Sequence, residues 1–332
     1  MATLNLTFLF LMLCPSAYAL THAQLHAPEL ERAELQNNIE NYARARVHPP
    51  PSPLTRRASI PAVGFYNPTG NGGSWLTKVD DTYPAGQGEP INVVISADSE
   101  ASVLVDQEID GGLQNYFNAF GYSTECLGQH QGSDQAANLG DGNGYVNQTA
   151  EIRWDYGDAE IGTCKETIVG GSHFRYWTQD GSAADSKAVF MAASYEEPET
   201  DNHNIVFNGY PSDWLVGNVT NQTHLISTGN VTNGTTYSGQ TSFDGYTYAT
   251  TAQYLRGYIP DTSYAVNHNG SVASATVNAT DGFIAVLTVK VVASPKATSA
   301  ALRSWTTPAW SVFPLVLALF VNMLATSIWI GL

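Results

Sequence analysis

The chain has 332 residues and carries 14 Lys and Arg against 30 Asp and Glu, a net charge of -16. An excess of that size repels phosphate backbones and anionic lipid headgroups, so nucleic acid and polybasic membrane docking are disfavoured as partners. The field suits cations or neutral glycans better, and within 58–299 it is stronger still, with 26 Asp and Glu against 8 Lys and Arg, a net of -18.

At the N-terminus, residues 1–19 have the anatomy of a secretory signal peptide. An uncharged apolar run from Phe8 to Cys14 is followed by Pro15 and by the small residues Ala17 and Ala19. The run is too short to cross a hydrocarbon core of roughly 30 Å. Residues 20–57 read as a pro-segment or linker, with a helix-like piece from Glu29 to Arg46 and the cluster Pro49, Pro50, Pro51 and Pro53. The dibasic pair Arg56-Arg57 makes Arg57 a candidate processing site, with a tolerated surface pair as the equal alternative.

The core, 64–292, reads as one α+β domain with a mostly antiparallel sheet, one main helix and a long Gly/Asn/Asp-rich loop. Gly70, Gly72 and Gly73 precede a strand at Trp75, and PINVVIS at 90–96 has the β-branched composition of a buried strand. An amphipathic helix is expected at 111–121, with Leu113, Tyr116, Phe117 and Phe120 on one face and Gly121 as its stop. The loop at 125–147 is too long for a plain connector. Strands are expected at 151–156, 173–179, 188–195, 203–207 and 283–292, and one helical turn at 213–218 capped by Ser212. The stretch 222–278 is rich in Thr, Ser, Gly and Tyr with several turn signals.

Of three cysteines, Cys14 leaves with the signal, and Cys126 and Cys164 are expected to pair. Closing that loop should stabilise the fold by about 4 kcal/mol in the chain-entropy treatment. Asn-x-Ser/Thr sequons stand at Asn147, Asn218, Asn221, Asn230, Asn233, Asn269 and Asn278, and their crowding from Asn218 to Asn233 predicts an exposed, glycosylated stretch.

Residues 293–311 form a spacer containing small residues, and 312–332 form an uncharged apolar tail. The pattern resembles a glycosylphosphatidylinositol attachment signal, with Ser299 as the preferred lipid-anchor residue and Ser294 and Ala297 as alternatives. A retained transmembrane helix is the competing reading.

The ordered set PINVVIS, a helix ending in Phe120-Gly121-Tyr122, HFRYW at 173–177, AVFMAASY at 188–195, His203 and Asp213-Trp214-Leu215 resembles the bacterial LssY C-terminal domain. ECLGQHQGSDQAANLGDGNGY at 125–145 is similar to a set of uncharacterised fungal secreted proteins. The resemblance covers about 89–219 and implies no established reaction. The bacterial pattern has paired histidines where this chain has Ser172-His173 and Asn202-His203, which weakens a two-histidine metal site.

Candidate catalytic residues are His130, Asp134, His173, Arg175 and His203, with Asp141 beside them as a metal candidate. A neutral imidazole can accept a proton, a carboxylate can orient it, and an arginine can hold an oxyanion. Asp141-Gly142-Asn143-Gly144 suggests an oxygen-rich loop, but Tyr145 breaks the calcium pattern. The sequence leaves the cofactor unknown, and no Gly-x-Ser-x-Gly, His-Glu-x-x-His, phosphate-loop or dinucleotide motif occurs in the core. Trp154, Tyr156, Tyr176, Trp177, Tyr195, Tyr210 and Trp214 are candidates for stacking on sugars. The sequence reads as a secreted, N-glycosylated protein anchored on the outer side of the plasma membrane or in a fungal-type wall. It would bind wall glycans or serve structurally; the alternative is an extracellular hydrolase using the His and Asp set.

Overall fold

The computed structural model describes residues 60–130, 132–222 and 230–295. The signal at 1–19, the 20–57 segment with Arg57, Ser299 and the 312–332 tail lie outside them. Among the described residues, no helix is long and apolar enough to cross a membrane.

In chain order the elements are β1 (Val93–Ile95), α1 (Leu113–Ala119), β2 (Tyr122–Thr124), β3 (Ala136–Asn138), β4 (Tyr145–Asn147), β5 (Ala150–Trp154) and α2 (Gly162–Val169). They continue with β6 (Gly171–Thr178), β7 (Val189–Glu196), α3 (Asp213–Val219), β8 (Thr236–Phe243), β9 (Tyr246–Arg256), the short α4 (Asn269–Val272) and β10 (Phe283–Ala293). Eight strands make one sheet in the order β2-β5-β6-β7-β1-β10-β9-β8, while β3 and β4 form a separate hairpin. Pairing is antiparallel throughout the large sheet except between β1 and β10. The fold is thus α+β, and the Cys126–Cys164 disulfide is formed.

The two-residue period of a strand sorts side chains onto two faces. On one face, Ile152 of β5, Phe174 and Tyr176 of β6, Val189 and Met191 of β7, and Leu287 of β10 meet Leu113, Tyr116 and Phe117 of α1 and Leu215, Val216 and Val219 of α3. Phe117 packs edge-on against Phe174, with ring centroids 4.9 Å apart. On the other face the sheet divides. Trp177, Phe190, Val94 and Ile284 form a second apolar core under Phe65, Trp75 and the β3–β4 hairpin. Next to them, toward β5 and β2, that same face carries charge.

Several sequence expectations need correction. No strand forms at 203–207: Asn202 and His203 take left-handed backbone conformations, leaving only an isolated bridge between Glu196 and Ile205. Trp75 lies beside a single bridge, Leu76 to Pro90, and not in a strand. Ser212 precedes α3, but its side chain makes no capping hydrogen bond. Within 230–278, β8 and β9 form a long hairpin across Asp244-Gly245. Both turn residues have positive φ, 44° and 77°, the two-residue geometry whose twist matches the flanking strands.

Candidate functional site

The charged patch grows from the alternation of β5, β6 and β7. Glu151 and Arg153 of β5, His173 and Arg175 of β6, and Ser194 and Glu196 of β7 all point away from the Phe174 face. Register sets Glu151 opposite Arg175, Arg153 opposite His173, and His173 opposite Ser194. Three further carboxylates arrive from outside these strands: Glu89 before β1, Glu125 before the turn at Cys126–Gly128, and Glu166 from α2. The disulfide ties Cys126 to Cys164, so it clamps together the two segments that supply Glu125 and Glu166.

Arg153 is the hub. It contacts Glu151 through Nη2, and its Nη1 donates to Glu166 Oε2 at 2.8 Å and lies 3.7 Å from Glu196 Oε2. Its Nε is 3.8 Å from Glu125 Oε1. Arg175 reaches Glu151 Oε2 at 2.7 Å and Glu89 Oε2 at 3.7 Å, and its Nη1 is 3.2 Å from His173 Nε2. Ser194 Oγ lies 3.0 Å from the same nitrogen. Five carboxylates therefore face two guanidiniums, and Glu166 and His173 have no exposed surface at all.

Burial at this density shifts the titrations. Desolvation pushes Glu166 up to about 7 against the pull of Arg153, and pushes Glu196 up to about 8. Burial also raises Glu151, despite Arg175 and Arg153 beside it. His173 is held well below its ordinary value, first by burial and then by Arg175 and Arg153, so its imidazole is neutral. Burial pulls the Arg153 guanidinium down, but Glu151, Glu166 and Glu196 outweigh it and keep the group charged.

The sequence candidates fall into two subsets within this network. His130 Nδ1 lies 2.7 Å from Glu125 Oε2 and its Nε2 3.3 Å from Asp134 Oδ1, at the solvent edge. His173, Arg175 and His203 gather around Glu196, with His173 Nε2 3.6 Å from Oε1 and His203 Nδ1 3.4 Å from Oε2. Glu125, Glu151 and Arg153 connect the subsets. Asp141 stands apart. Its carboxylate accepts from the Asn143 and Gly181 backbone N–H groups at 3.0 Å each, which pins the loop to the turn after β6. It belongs to neither of the donor groups that converge within 4.8 Å among the described residues, Glu125–His130–Glu151 and Glu166–His173–Glu196. Both of its oxygens hold N–H donors, so Asp141 acts as a clamp on this loop.

Sequence reasoning missed Glu89, Glu125, Glu151, Arg153, Glu166 and Glu196. One signal was available: Glu151-Ile152-Arg153-Trp154 and His173-Phe174-Arg175-Tyr176 alternate charged with apolar residues inside strands bounded by buried neighbours. The aromatic candidates also separate. Tyr176, Trp177 and Tyr210 are core residues. Trp154 stacks on Tyr156 at 4.2 Å with Lys165 over the outer ring, and only Trp214, packed on Tyr195, is exposed.

A second feature is open. A groove of about 640 Å³ is lined by the 79–83 loop, by Gln87 and Asn204, and by Asn267, His268 and Asn269. Its two sides are held in register where Gly88 bridges Val266, with Gly88 N–H donating to Ala265 O at 2.9 Å. Tyr83 on its wall is 98% exposed, and Tyr264, in the adjoining segment, is 86% exposed.

No protein-family profile, curated protein or solved structure matches the chain.

Proposed function

We propose that this is a secreted, N-glycosylated protein held at the cell surface or in a wall, whose domain binds neutral glycans through the open groove. The observation that carries the reading is the composition of that groove. An almost fully exposed tyrosine ring projects beside Asp80, Asp81, Asn204, Asn267 and His268. Carboxylates and amides match sugar hydroxyls as acceptors and donors, and an exposed ring offers a flat apolar face to a pyranose. The acidic surface is compatible with an uncharged ligand and disfavours an anionic one. The sequons at Asn147, Asn221, Asn230, Asn233 and Asn278 lie at exposed positions, which supports their glycosylation.

The hydrolase alternative has less support. His173 is buried inside the charged network, and His130 with Asp134 sits at its solvent edge. Neither imidazole lines the groove.

The test is retention of the secreted protein on insoluble neutral wall polysaccharide, with Asn269→Gln used in parallel because that sequon lies in the groove. Wild-type protein should be retained, and Tyr83→Ala should weaken binding about tenfold, the size of one lost ring contact. Absence of retention in both glycoforms, or undiminished retention of Tyr83→Ala, would overturn the reading.

A further inference from the structure

We propose that Glu166, His173 and Glu196 form a binding site for a first-row divalent cation, independent of the glycan groove. One donor atom from each of the three lies within 4.8 Å of the others. The position of Glu166 has a structural origin. Gly171 pairs with Glu196 across β6 and β7, and a Cβ at Gly171 would come within 2.8 Å of Glu166 Cγ and 3.4 Å of Glu166 Oε1. Glycine thus lets the Glu166 side chain settle over the strand, on the face that carries His173.

Arg153 Nη1 approaches Oε2 of both Glu166 and Glu196, which leaves Oε1 of each directed elsewhere. Glu166 Oε1 and His173 Nδ1 are completely buried and have no hydrogen-bond partner. A buried polar atom without a partner is costly, and native interiors rarely keep one without a reason. In the Glu125–His130–Glu151 group both Glu151 oxygens also lack a hydrogen bond, but each is held in an ion pair, Oε1 with Arg153 and Oε2 with Arg175, and His130 is paired with Glu125.

Charge points the same way. Once all five are ionised, the carboxylates of Glu89, Glu125, Glu151, Glu166 and Glu196 exceed the guanidiniums of Arg153 and Arg175 by three charges, and the raised titrations of Glu151, Glu166 and Glu196 mark that excess as unfavourable without a cation. A bound dication would offset most of that excess. Two carboxylates and an imidazole suit zinc or manganese. Glu196, only partly buried and in contact with the exposed edge at His203, marks the side from which an ion would enter.

The experiment uses the untagged secreted chain, stripped with a chelator and titrated separately with Zn²⁺ and Mn²⁺, with metal content measured after gel filtration. One ion per chain should be retained. Glu196→Gln and Glu166→Gln, which keep shape and remove charge, should each weaken binding about 100-fold, the scale on which removing a ligand exceeds removing its supporting partner. His130→Gln should leave affinity unchanged. Failure to bind either ion at about 1 mM, the weak limit of specific association, would overturn the proposal. Wild-type affinity in both glutamine variants with unchanged circular dichroism would do the same. Glycan retention reads a different surface, so the two proposals fail separately.

Discussion

The two faces of β5, β6 and β7 are built from the same strands and hold opposite chemistry. Phe174 and Tyr176 pack into aromatic rings of α1, while His173 and Arg175, one residue away each, enter a network of five carboxylates. The apolar face gains stability from every contact. The charged face repays the desolvation of its ions only if all partners remain in place. A region this dependent on mutual pairing is poorly explained as stabilisation alone.

Removing the hub should separate the faces most clearly. Arg153→Met, which leaves four carboxylates without their shared guanidinium, should destabilise the metal-free protein by about 3–5 kcal/mol. Phe174→Ala on the opposite face should lose a similar amount, about 3–5 kcal/mol, through cavity formation. The pH dependence distinguishes them. The Arg153→Met penalty should grow as pH rises from 5.5 to about 8.5 and the carboxylates ionise, whereas the Phe174→Ala penalty should stay flat in denaturant melts across that range.

Next in size is the clamp over the charged face. Cys126→Ser with Cys164→Ser should cost about 2–4 kcal/mol and should expose Glu166 to solvent, measurable as a smaller pH dependence of the residual stability. If the double variant melts like wild type, the disulfide does not hold the network closed.

The wild-type pH profile is a subtler probe. Glu166 and Glu196 are raised to about 7 and about 8 in the folded chain, above their unfolded values near 4.3. The folded state therefore keeps protons that the unfolded chain has released, and stability falls as pH rises through this window. Thermal melts of metal-free protein should give a lower midpoint at pH 8.5 than at pH 5.5, a trend that saturating zinc should flatten. The smallest effect is expected at His130→Gln. That partly exposed pair should contribute below about 1 kcal/mol, and less at high salt.

Much of the fold is legible in the chain. Strands β1, β5, β6, β7 and β10 and helix α1 announce themselves by apolar runs and periodicity. The hairpin β8–β9 was harder to read, because its inward residues Tyr248, Thr250, Ala252 and Tyr254 alternate with polar ones in a Thr- and Tyr-rich background. Its Asp244-Gly245 turn was the clearer mark. Helix α2 has no such mark: Gly162-Thr163-Cys164-Lys165-Glu166 shows little amphipathic pattern, and the helix stands on its disulfide and on Glu166 pairing with Arg153.

The candidate site divides in the same way. Composition and local pattern were enough to single out His130, His173, Arg175 and His203, since imidazole and guanidinium groups are scarce in so acidic a chain. Their partners could not be read, because an isolated glutamate in sequence is by default a solvated surface residue. Only the sheet register, the loop anchored at Cys126, the position of α2 and the bare backbone of Gly171 bring Glu89, Glu125, Glu151, Glu166 and Glu196 around two arginines. Sequence alone determined that β1, β5, β6, β7 and β10 form and which face their side chains take, because both follow from local periodicity. Tertiary structure decided which charges meet and which are cut off from water, because those depend on segments up to about a hundred residues apart in the chain closing over one another.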